Sequence, residues 1–205
     1  MNSQGQQGQD GFFTIARPAE AEAVRLRSRF LGACAYAADL EQVRQFVNSR
    51  RSAHPQANHH CYAYRVGAPG PLQEFASDQG EPSGSAGRPI LAAIRSSNLV
   101  NVVVVVTRYF GGHKLGVRGL IEAYGDVARL CLEAAGRRLE RPRARLQVEL
   151  AYASYEFLLR RLPDWDARIL SADFTSQVHL VLELPAALLP ALQEQLRGLG
   201  AACQP

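Results

Sequence analysis

Apolar and polar residues alternate along several segments of the first part of the chain, and this period of two predicts β-strands. Strands are predicted over residues 12–16, 23–35, 61–66 and 101–109. In the second of these segments the arginines at alternate positions are expected to share one solvated face. The fourth segment is rich in valine, which is typical of a central strand.

Three helices are predicted in the same part of the chain. The first follows Asp39, which can cap a helix together with Gln42, and it fades near His54. The second is short and opens at Pro89, because proline is favoured at the first helical position. The third is long and ends near Gly136. The buried stripe of the long helix is predicted to consist of Leu120, Tyr124, Val127, Cys131 and Ala134.

The remainder of the chain predicts a second, smaller domain. Strands are predicted over residues 145–151, 168–175 and 177–184, with helices over 155–162 and around 188–196. This βαββα order favours a ferredoxin-like α/β sandwich. Pro190 should either start the last helix or kink it. Because the charged segment around Pro142 is typical of a linker, the predicted organisation is a flexible tail at 1–10, a first domain at 11–141 and a second at 142–205.

The composition excludes several classes of protein. Of the 205 residues, 47% are apolar and 20% are charged, which is typical of a globular protein and not of a disordered or collagen-like one. No apolar run approaches the ~20 residues that a membrane-spanning helix needs. The Gln- and Gly-rich start has no features of a signal or transit peptide. We therefore expect a cytoplasmic protein that makes no contact with membranes.

Cysteines and histidines do not form a known metal-binding or catalytic motif. The four cysteines lie outside any C-x-x-C pair and are expected to be reduced thiols. In a strand, His59 and Cys61 face one way and His60 the other, which offers at most two metal ligands on each face. Cys61 with a histidine base, or Ser83 with His60, are alternatives as nucleophiles, but neither lies in a known catalytic context. We therefore predict no metal, no cofactor and no catalytic residue.

Positive charge is concentrated in the first part of the chain. The net charge of +4 comes from 23 basic and 19 acidic residues, and Lys114 is the single lysine. Residues 1–142 carry 17 basic and 12 acidic side chains, whereas residues 143–205 carry 6 and 7. Any attraction for polyanions is therefore expected in the first domain.

A first glycine-rich loop runs from Ser77 to Pro89 and leads into the predicted second helix. Backbone N–H groups of such a loop, together with a helix N-terminus, can hold an anion or a phosphate. The loop lacks the G-K-[ST] ending of a P-loop, and its two acids disfavour phosphate unless a cation intervenes. A tight connection that needs positive φ at its glycines is the alternative. The residues of interest here are Asp78, Gly80, Glu81, Ser83, Gly84 and Gly87.

A second glycine-rich loop runs from Thr107 to Gly119, again from a strand into a helix. Its basic side chains can contact phosphates while its aromatic rings stack on bases, as binding of single-stranded nucleic acid requires. The alternative is that the rings belong to the core and the charges are solvated. Arg108 either reaches an anion or pairs with an acid of the first loop, Asp78 or Glu81. The candidate binding residues are Arg88, Arg108, Tyr109, Lys114, Arg118 and His60, on a loop framework that includes Gly111, Gly112 and Gly116.

Three motifs together resemble the YigZ/IMPACT family. They are HCYAYR at 60–65, GEPSGSAGRP at 80–89 and TRYFGG at 107–112, the last followed by LG at 115–116. Gln79 stands where the family usually has a second aspartate, Ser85 replaces a threonine, and Arg118 replaces a small residue. The first change weakens any role for a divalent cation, and the last adds positive charge to the second loop.

The resemblance covers essentially the whole chain and implies both a fold and a role. It implies an α+β protein whose first domain resembles the second domain of ribosomal protein S5. The second domain resembles the ferredoxin-like C-terminal part of elongation factor G. Eukaryotic relatives are similar to translational regulators that act through protein partners under amino-acid starvation, with an extra N-terminal domain that this chain is expected to lack. The bacterial form is expected to be a cytoplasmic factor connected with translation.

The sequence therefore predicts a non-enzymatic regulator of translation that binds RNA or a ribosomal surface through the two loops, with a protein partner as a further expectation. Two other classes stay open. One is a small enzyme for phosphoryl transfer or hydrolysis, because the S5-like fold also underlies metabolite kinases, and the other is a protein-interaction module. The sequence does not predict whether the loops line one cleft, or the oligomeric state.

Overall fold

The computed structural model describes residues 11–204, which form two compact units. The first unit spans Phe12–Glu140, and the second begins at Arg141. Each combines helices with antiparallel strands, so the predicted α+β class is confirmed. None of the helices in this described part of the chain is long and apolar enough to cross a membrane.

The first unit is built on a five-stranded antiparallel sheet. In chain order its elements are β1 (Phe12–Ile15), β2 (Ala19–Arg25), β3 (Ser28–Tyr36), α1 (Leu40–Ala53), β4 (His59–Val66), β5 (Gln73–Ser77), α2 (Gly87–Ser96), β6 (Val102–Tyr109), α3 (Gly116–Ala135) and β7 (Arg137–Glu140). The sheet has the order β2-β3-β6-β4-β5, and β1 pairs with β7 in a separate two-stranded ladder. Strands β5 and β7 are absent from the sequence-based prediction.

The single strand predicted over residues 23–35 is wrong, because β2 and β3 form a hairpin that turns at Leu26 and Arg27. These two residues have positive φ angles of 44° and 65°. A two-residue hairpin turn commonly needs positive φ at both central positions, which asparagine or glycine usually supplies. Leucine and arginine carry no such signal, so the regular alternation of arginines concealed the turn.

Strand β6 forms the centre of the first unit. Its five valines at 102–106 have no exposed surface, which confirms the predicted central strand. Because successive side chains point to opposite faces, these valines contribute to the packing on both sides of the sheet. Helices α2 and α3 cover one side, where Phe30 and Tyr124 join the core. Helix α1 covers the other side through Val43 and Val47.

The helix boundaries follow the predicted signals closely. Asp39 caps α1 by accepting a hydrogen bond from the N–H of Gln42 at 2.9 Å. Helix α2 begins two residues earlier than predicted, at Gly87. In α3 the buried stripe continues through Ala135, whereas Ala134 is exposed.

The second unit is a four-stranded antiparallel sheet with two helices. Its elements are β8 (Arg143–Leu150), α4 (Tyr152–Arg161), a 3₁₀ turn (Leu162–Trp165), β9 (Arg168–Phe174), β10 (Val178–Pro185), a 3₁₀ turn (Ala186–Leu188), α5 (Leu189–Gly198) and β11 (Ala202–Gln204). The sheet has the order β11-β8-β10-β9. The predicted βαββα order is confirmed, and β11 adds a final strand. Pro190 lies in the first turn of α5, so it starts that helix and does not kink it.

Candidate functional site

Four connections meet at one end of the five-stranded sheet. Antiparallel pairing places the start of β4 and the end of β5 beside the end of β6, and the turn between β2 and β3 lies at the same end. Within the first loop, residues 78–86 connect β5 to α2, and within the second loop, residues 110–115 connect β6 to α3. The structure therefore brings the two glycine-rich loops to the same end of the sheet.

A buried ion pair joins these loops. Arg108, near the end of β6, donates from Nη1 to Oε1 of Glu81 at 2.6 Å, and the two side chains are only 6% and 3% exposed. The hydroxyl of Tyr124 donates to the same carboxylate oxygen at 2.8 Å. On its other side, Arg108 donates from Nη2 to the Ser28 hydroxyl at 3.3 Å. Burial is tolerated because the opposite charges and these hydrogen bonds replace water around the carboxylate and the two terminal guanidinium nitrogens, whereas Nε of Arg108 is buried without a hydrogen-bond partner among residues 11–204.

Arg108 is therefore buried inside the unit. From the sequence, it is one of the residues predicted to contact phosphates at the surface. Its guanidinium lies 5.3 Å from the ring centroid of Phe30 and 5.4 Å from that of Phe110. Of the two alternatives that the sequence leaves open, the structure shows pairing with an acid of the first loop, Glu81. The side chain is consequently not available to a ligand that arrives from solvent.

The carboxylate of Asp78 fills the anion-binding position of the first loop. Its Oδ1 atom accepts hydrogen bonds from the N–H groups of Ala86 at 3.0 Å and Gly87 at 2.8 Å, and Oδ2 accepts from Gly84 at 2.7 Å. Burial alone would raise the pKa of Asp78, but the three N–H donors outweigh it and hold the pKa below its ordinary value. The donors that could hold a phosphate at the start of α2 are thus already bonded to a carboxylate of the chain.

Close backbone approach explains two of the loop glycines. A Cβ atom on Gly87 would lie 2.6 Å from the backbone nitrogen of Ser77, and one on Gly111 would lie 2.1 Å from the carbonyl carbon of Arg27. Four further glycines of the loop framework have positive φ: Gly80, Gly84, Gly112 and Gly116. These positions therefore meet the conformational requirement of tight connections, independently of any ligand.

Two polar residues that the sequence does not single out hold the second loop in place. The Ser28 hydroxyl accepts a hydrogen bond from the N–H of Gly111 at 3.2 Å. The side-chain oxygen of Asn58 accepts from the N–H of Phe110 at 2.8 Å, and the backbone N–H of Asn58 donates to the carbonyl of Arg108 at 2.9 Å. Serine and asparagine beside strand ends are common, so no sequence signal separates these two from other loop residues.

Basic and apolar side chains are exposed together around the second loop. Phe110 is 46% exposed, and Leu26, in the hairpin turn beside Gly111, is 61% exposed. The Arg118 side chain is 93% exposed and forms an ion pair with Glu122 at 3.1 Å. We call the following five exposed residues the loop surface: Leu26, Arg27, Phe110, Lys114 and Arg118.

His60 and Tyr109 lie on the face of the sheet that α1 covers. Nδ1 of His60 lies 3.1 Å from the Thr107 hydroxyl, and the Tyr109 hydroxyl lies 3.1 Å from Nδ1 of His54. Burial and the nearby charge of Arg51 lower the pKa of His60, which favours the neutral imidazole at neutral pH. Both candidates are therefore partly buried and hydrogen-bonded within the unit.

The alternative nucleophiles are not arranged for catalysis. The Cys61 thiol is buried and donates to the carbonyl of Asp78 at 2.9 Å, and burial raises its pKa to about 12. Ser83 is exposed on the first loop, whereas His60 bonds to Thr107. Among residues 11–204, no group of three histidine, cysteine or acidic side chains is arranged to hold a metal ion.

Arg88 takes no part in the ion pair between Arg108 and Glu81. It is exposed in the first turn of α2, where it lines a groove between this helix and strand β5. The six candidate residues therefore divide into four environments. Arg108 lies in the buried ion pair, His60 and Tyr109 lie on the face covered by α1, Lys114 and Arg118 belong to the loop surface, and Arg88 lines the groove.

Comparisons with known proteins bear on both units. A protein-family model described as the Impact N-terminal domain matches residues 26–132. The chain is 36% identical over 162 residues to IMPACT family member YigZ of Escherichia coli (strain K12), which covers 78% of this chain and 79% of that protein. It is 52% identical over 109 residues to an IMPACT family member in the pol 5'region of Thermus thermophilus, with coverage of 53% and 57%.

A solved structure agrees with these matches over both units. A crystal structure described as that of a hypothetical protein is similar with a TM-score of 0.67 and 31% identity, and the match covers 91% of each chain. The resemblance found in the three sequence motifs is thus confirmed over most of the chain. This protein belongs to the IMPACT family.

Proposed function

We propose that this protein is a cytoplasmic, translation-associated regulatory factor that binds RNA or a ribonucleoprotein surface through its loop surface. Family membership supports the connection with translation, because the family's eukaryotic members resemble translational regulators. The exposed combination of Arg27, Lys114 and Arg118 with the ring of Phe110 supports the RNA part of the proposal. Cationic groups neutralise phosphates, and an exposed ring can stack on an unpaired base.

The observation that carries this proposal is the convergence of the hairpin turn and the second loop. They are distant in sequence, yet Gly111 contacts the backbone of Arg27 so closely that a Cβ atom would overlap it. The exposed residues Arg27 and Phe110 thereby lie on two adjoining segments of the chain. The excess of positive charge in residues 1–142 agrees with the location.

We also propose a specific fold and boundaries for each of the two domains. A ferredoxin-like second domain, residues 142–205, is supported by the sheet order β11-β8-β10-β9 with both helices in the βαββαβ sequence. An S5-like first domain, residues 11–141, is supported by the match to the family model. We further propose a protein partner in translation control, for which the family's eukaryotic members are the reason.

The enzyme alternative is less well supported. A kinase-like reading requires the first loop to hold phosphate through its N–H groups. The N–H groups of Gly84, Ala86 and Gly87 already donate to Asp78. An incoming phosphate would have to displace this carboxylate against its negative charge.

Titration of the full chain with a fluorescent single-stranded RNA tests the proposal. The double variant Lys114→Ala/Arg118→Ala should weaken binding and make the slope of log K against log salt less negative by about 1.4, since each single-strand phosphate contact contributes about 0.7. Phe110→Ala should weaken binding with little change in that slope, because stacking releases no counterions.

Arg160→Ala is the matched control. Arg160 is exposed on α4 and pairs with Glu156 four residues away, as Arg118 pairs with Glu122. It lies in the second unit, so its loss should leave RNA binding unchanged. Equal effects of Arg160→Ala and Arg118→Ala, or no salt-dependent RNA binding by the wild-type chain, would refute the proposed loop surface.

A further inference from the structure

A groove runs between strand β5 and helix α2 in the first unit. It has a volume of about 720 Å³ and is lined by Glu74, Phe75, Ala76, Arg88, Leu91, Ala92 and Arg95. Strand β5 forms one wall and a single face of α2 forms the other, because the helical residues recur at a spacing of three or four. Between the two arginines, the helix wall carries the apolar side chains of Leu91 and Ala92.

Strand β5 is an edge strand. The sheet order places it last, and among residues 11–204 no strand pairs with its outer side. Every second residue of an antiparallel edge strand points its backbone N–H and C=O groups outward, where they can pair with a further strand. An extended peptide that pairs with such an edge gains main-chain hydrogen bonds, while pockets beside the edge select its side chains.

The charges around the groove favour an acidic ligand. Arg88 and Arg95 lie on the groove face of α2 seven residues apart, which corresponds to about 10 Å along the helix. Glu74 bonds to Arg95 and to Arg65 of β4, and the groove lining itself carries two arginines against this one acid. The surplus of positive charge complements carboxylates at the two ends of an apolar segment.

We propose that this groove binds an extended acidic peptide, which adds to β5 as a further strand. An apolar side chain of the peptide lies over Ala76 and Leu91, and flanking carboxylates contact Arg88 and Arg95. Two acidic residues four positions apart on one face of the peptide strand are separated by about 13 Å. Arg88 and Arg95, about 10 Å apart along α2, can reach both because their side chains are long. The pattern that fits is acid-x-apolar-x-acid.

A peptide fits this groove better than RNA does. Base stacking requires accessible ring faces, but the only aromatic residue of the groove, Phe75, packs beside Tyr64 with ring centroids 5.8 Å apart. Phe75 is paired with Tyr64 across the ladder, so their side chains share the face of the sheet opposite to α2. The groove side thus offers alanine and leucine side chains and two arginines, with Glu74 bonded to Arg95, and this arrangement suits an apolar side chain between carboxylates.

The test is a titration of the full chain with a synthetic heptapeptide, acetylated and amidated, of sequence Thr-Glu-Thr-Val-Thr-Glu-Thr. Amide NMR shifts should change in β5 and α2, and the exchange of the amides at 73–77 should slow. Arg88→Glu should weaken binding at least about tenfold, because it places like charges together. Arg88 is exposed, and an unchanged amide spectrum elsewhere verifies that the variant folds.

Three controls keep this proposal separate from the proposed RNA binding. Lys114→Ala/Arg118→Ala should bind the peptide normally. A peptide with lysine in place of glutamate tests the charge, and one with proline in place of the two central threonines tests the strand pairing; both should lose binding. Four outcomes would each overturn the peptide assignment. The lysine or the proline peptide could bind as well as the original peptide, or no peptide could bind at millimolar concentration. The shifts could also be confined to residues outside β5 and α2, or RNA could cause the shifts in β5 instead.

Discussion

The guanidinium of Arg108 and the carboxylate of Glu81 form a buried ion pair, with Nη1 and Oε1 2.6 Å apart. Arg108 lies next to the last residue of the central strand, and Glu81 belongs to the loop that follows the edge strand. The pair thus determines how the two glycine-rich loops are held relative to each other. The two charges of this pair are buried and hold the sheet end together, whereas the charges of the loop surface are exposed to solvent.

Removing Arg108 should therefore destabilise the protein. Arg108→Ala leaves Glu81 charged and buried, and we expect the free energy of unfolding to fall by about 3–5 kcal/mol. The exposed Arg118→Ala should change it by less than about 0.5 kcal/mol. Urea unfolding of the two variants measures the difference. If Arg108→Ala unfolds like the wild type but loses RNA binding, Arg108 is a ligand contact and the ion pair contributes little.

Asp78→Asn should destabilise the first loop, because an amide cannot accept all three N–H bonds through one oxygen. We expect a loss of about 1–3 kcal/mol near neutral pH. Folding lowers the pKa of Asp78 below its ordinary value of 3.8, so folding favours the ionised form. The wild type should therefore exceed the variant in free energy of unfolding by the full amount above pH 3.8. This difference should disappear as the pH falls through the lower pKa that Asp78 has in the folded state. Unfolding curves measured from pH 7 to pH 2 test this, and a gap that widens with acid contradicts it.

Asp78→Ala should convert the first loop into an anion site. The N–H groups of Gly84, Ala86 and Gly87 then lack their carboxylate, and inorganic phosphate can replace it. We expect phosphate to raise the melting temperature of this variant more than that of the wild type, at matched ionic strength. An equal response of both proteins would mean that Asp78 does not occupy an anion position.

Two adjacent glycines should differ in their tolerance of alanine. Gly112 has a φ of 86° and open space around it, so Gly112→Ala should cost about 1–2 kcal/mol through backbone conformation alone. Gly111→Ala should be clearly more destabilising, because its methyl group would overlap the backbone of Arg27. Thermal melts of the two variants measure the difference. Equal losses of stability would show that the turn between β2 and β3 can move away from the added methyl group without destabilising the protein.

Gly84→Ala is a test of the first loop that does not depend on the function. Gly84 has a φ of 76°, and the added Cβ atom would contact Arg88 at 3.4 Å. We expect a loss of about 1 kcal/mol or more in the free energy of unfolding. A neutral Gly84→Ala in the same urea assay would indicate that this loop relaxes readily.

The four cysteines should differ sharply in reactivity. Cys34, Cys61 and Cys131 are buried, whereas Cys203 is partly exposed. Burial raises the pKa of Cys61 to about 12, so its thiolate is scarce even where reagent enters. With iodoacetamide at pH 8, mass spectrometry should find Cys203 modified first and the other three only on unfolding. Early labelling of Cys61 would show that the loop interior opens to solvent.

Local sequence signals determined much of the fold. The valines of β6, the capping aspartate of α1 and the glycine after α3 each act over a few residues, so their pattern alone predicted those elements. Leu26 and Arg27 carry no turn signal, yet the two-residue hairpin turn that they form requires their positive φ angles. The sequence therefore predicted one strand where the structure has two.

The sequence also identified both glycine-rich loops and the charges around them, because residue type and spacing are visible in the chain. Only the tertiary structure decided which charges face solvent. Arg108 and Arg118 are indistinguishable by type, yet one side chain is 6% exposed and the other 93%. Burial of Arg108 depends on Glu81 and Tyr124, which are far away along the chain and reach it only when the strands pair. The partner of a charged side chain depends on which residues lie close to it in three dimensions. The sequence could therefore offer an anion, Asp78 or Glu81 as the partner of Arg108, but it could not choose among them.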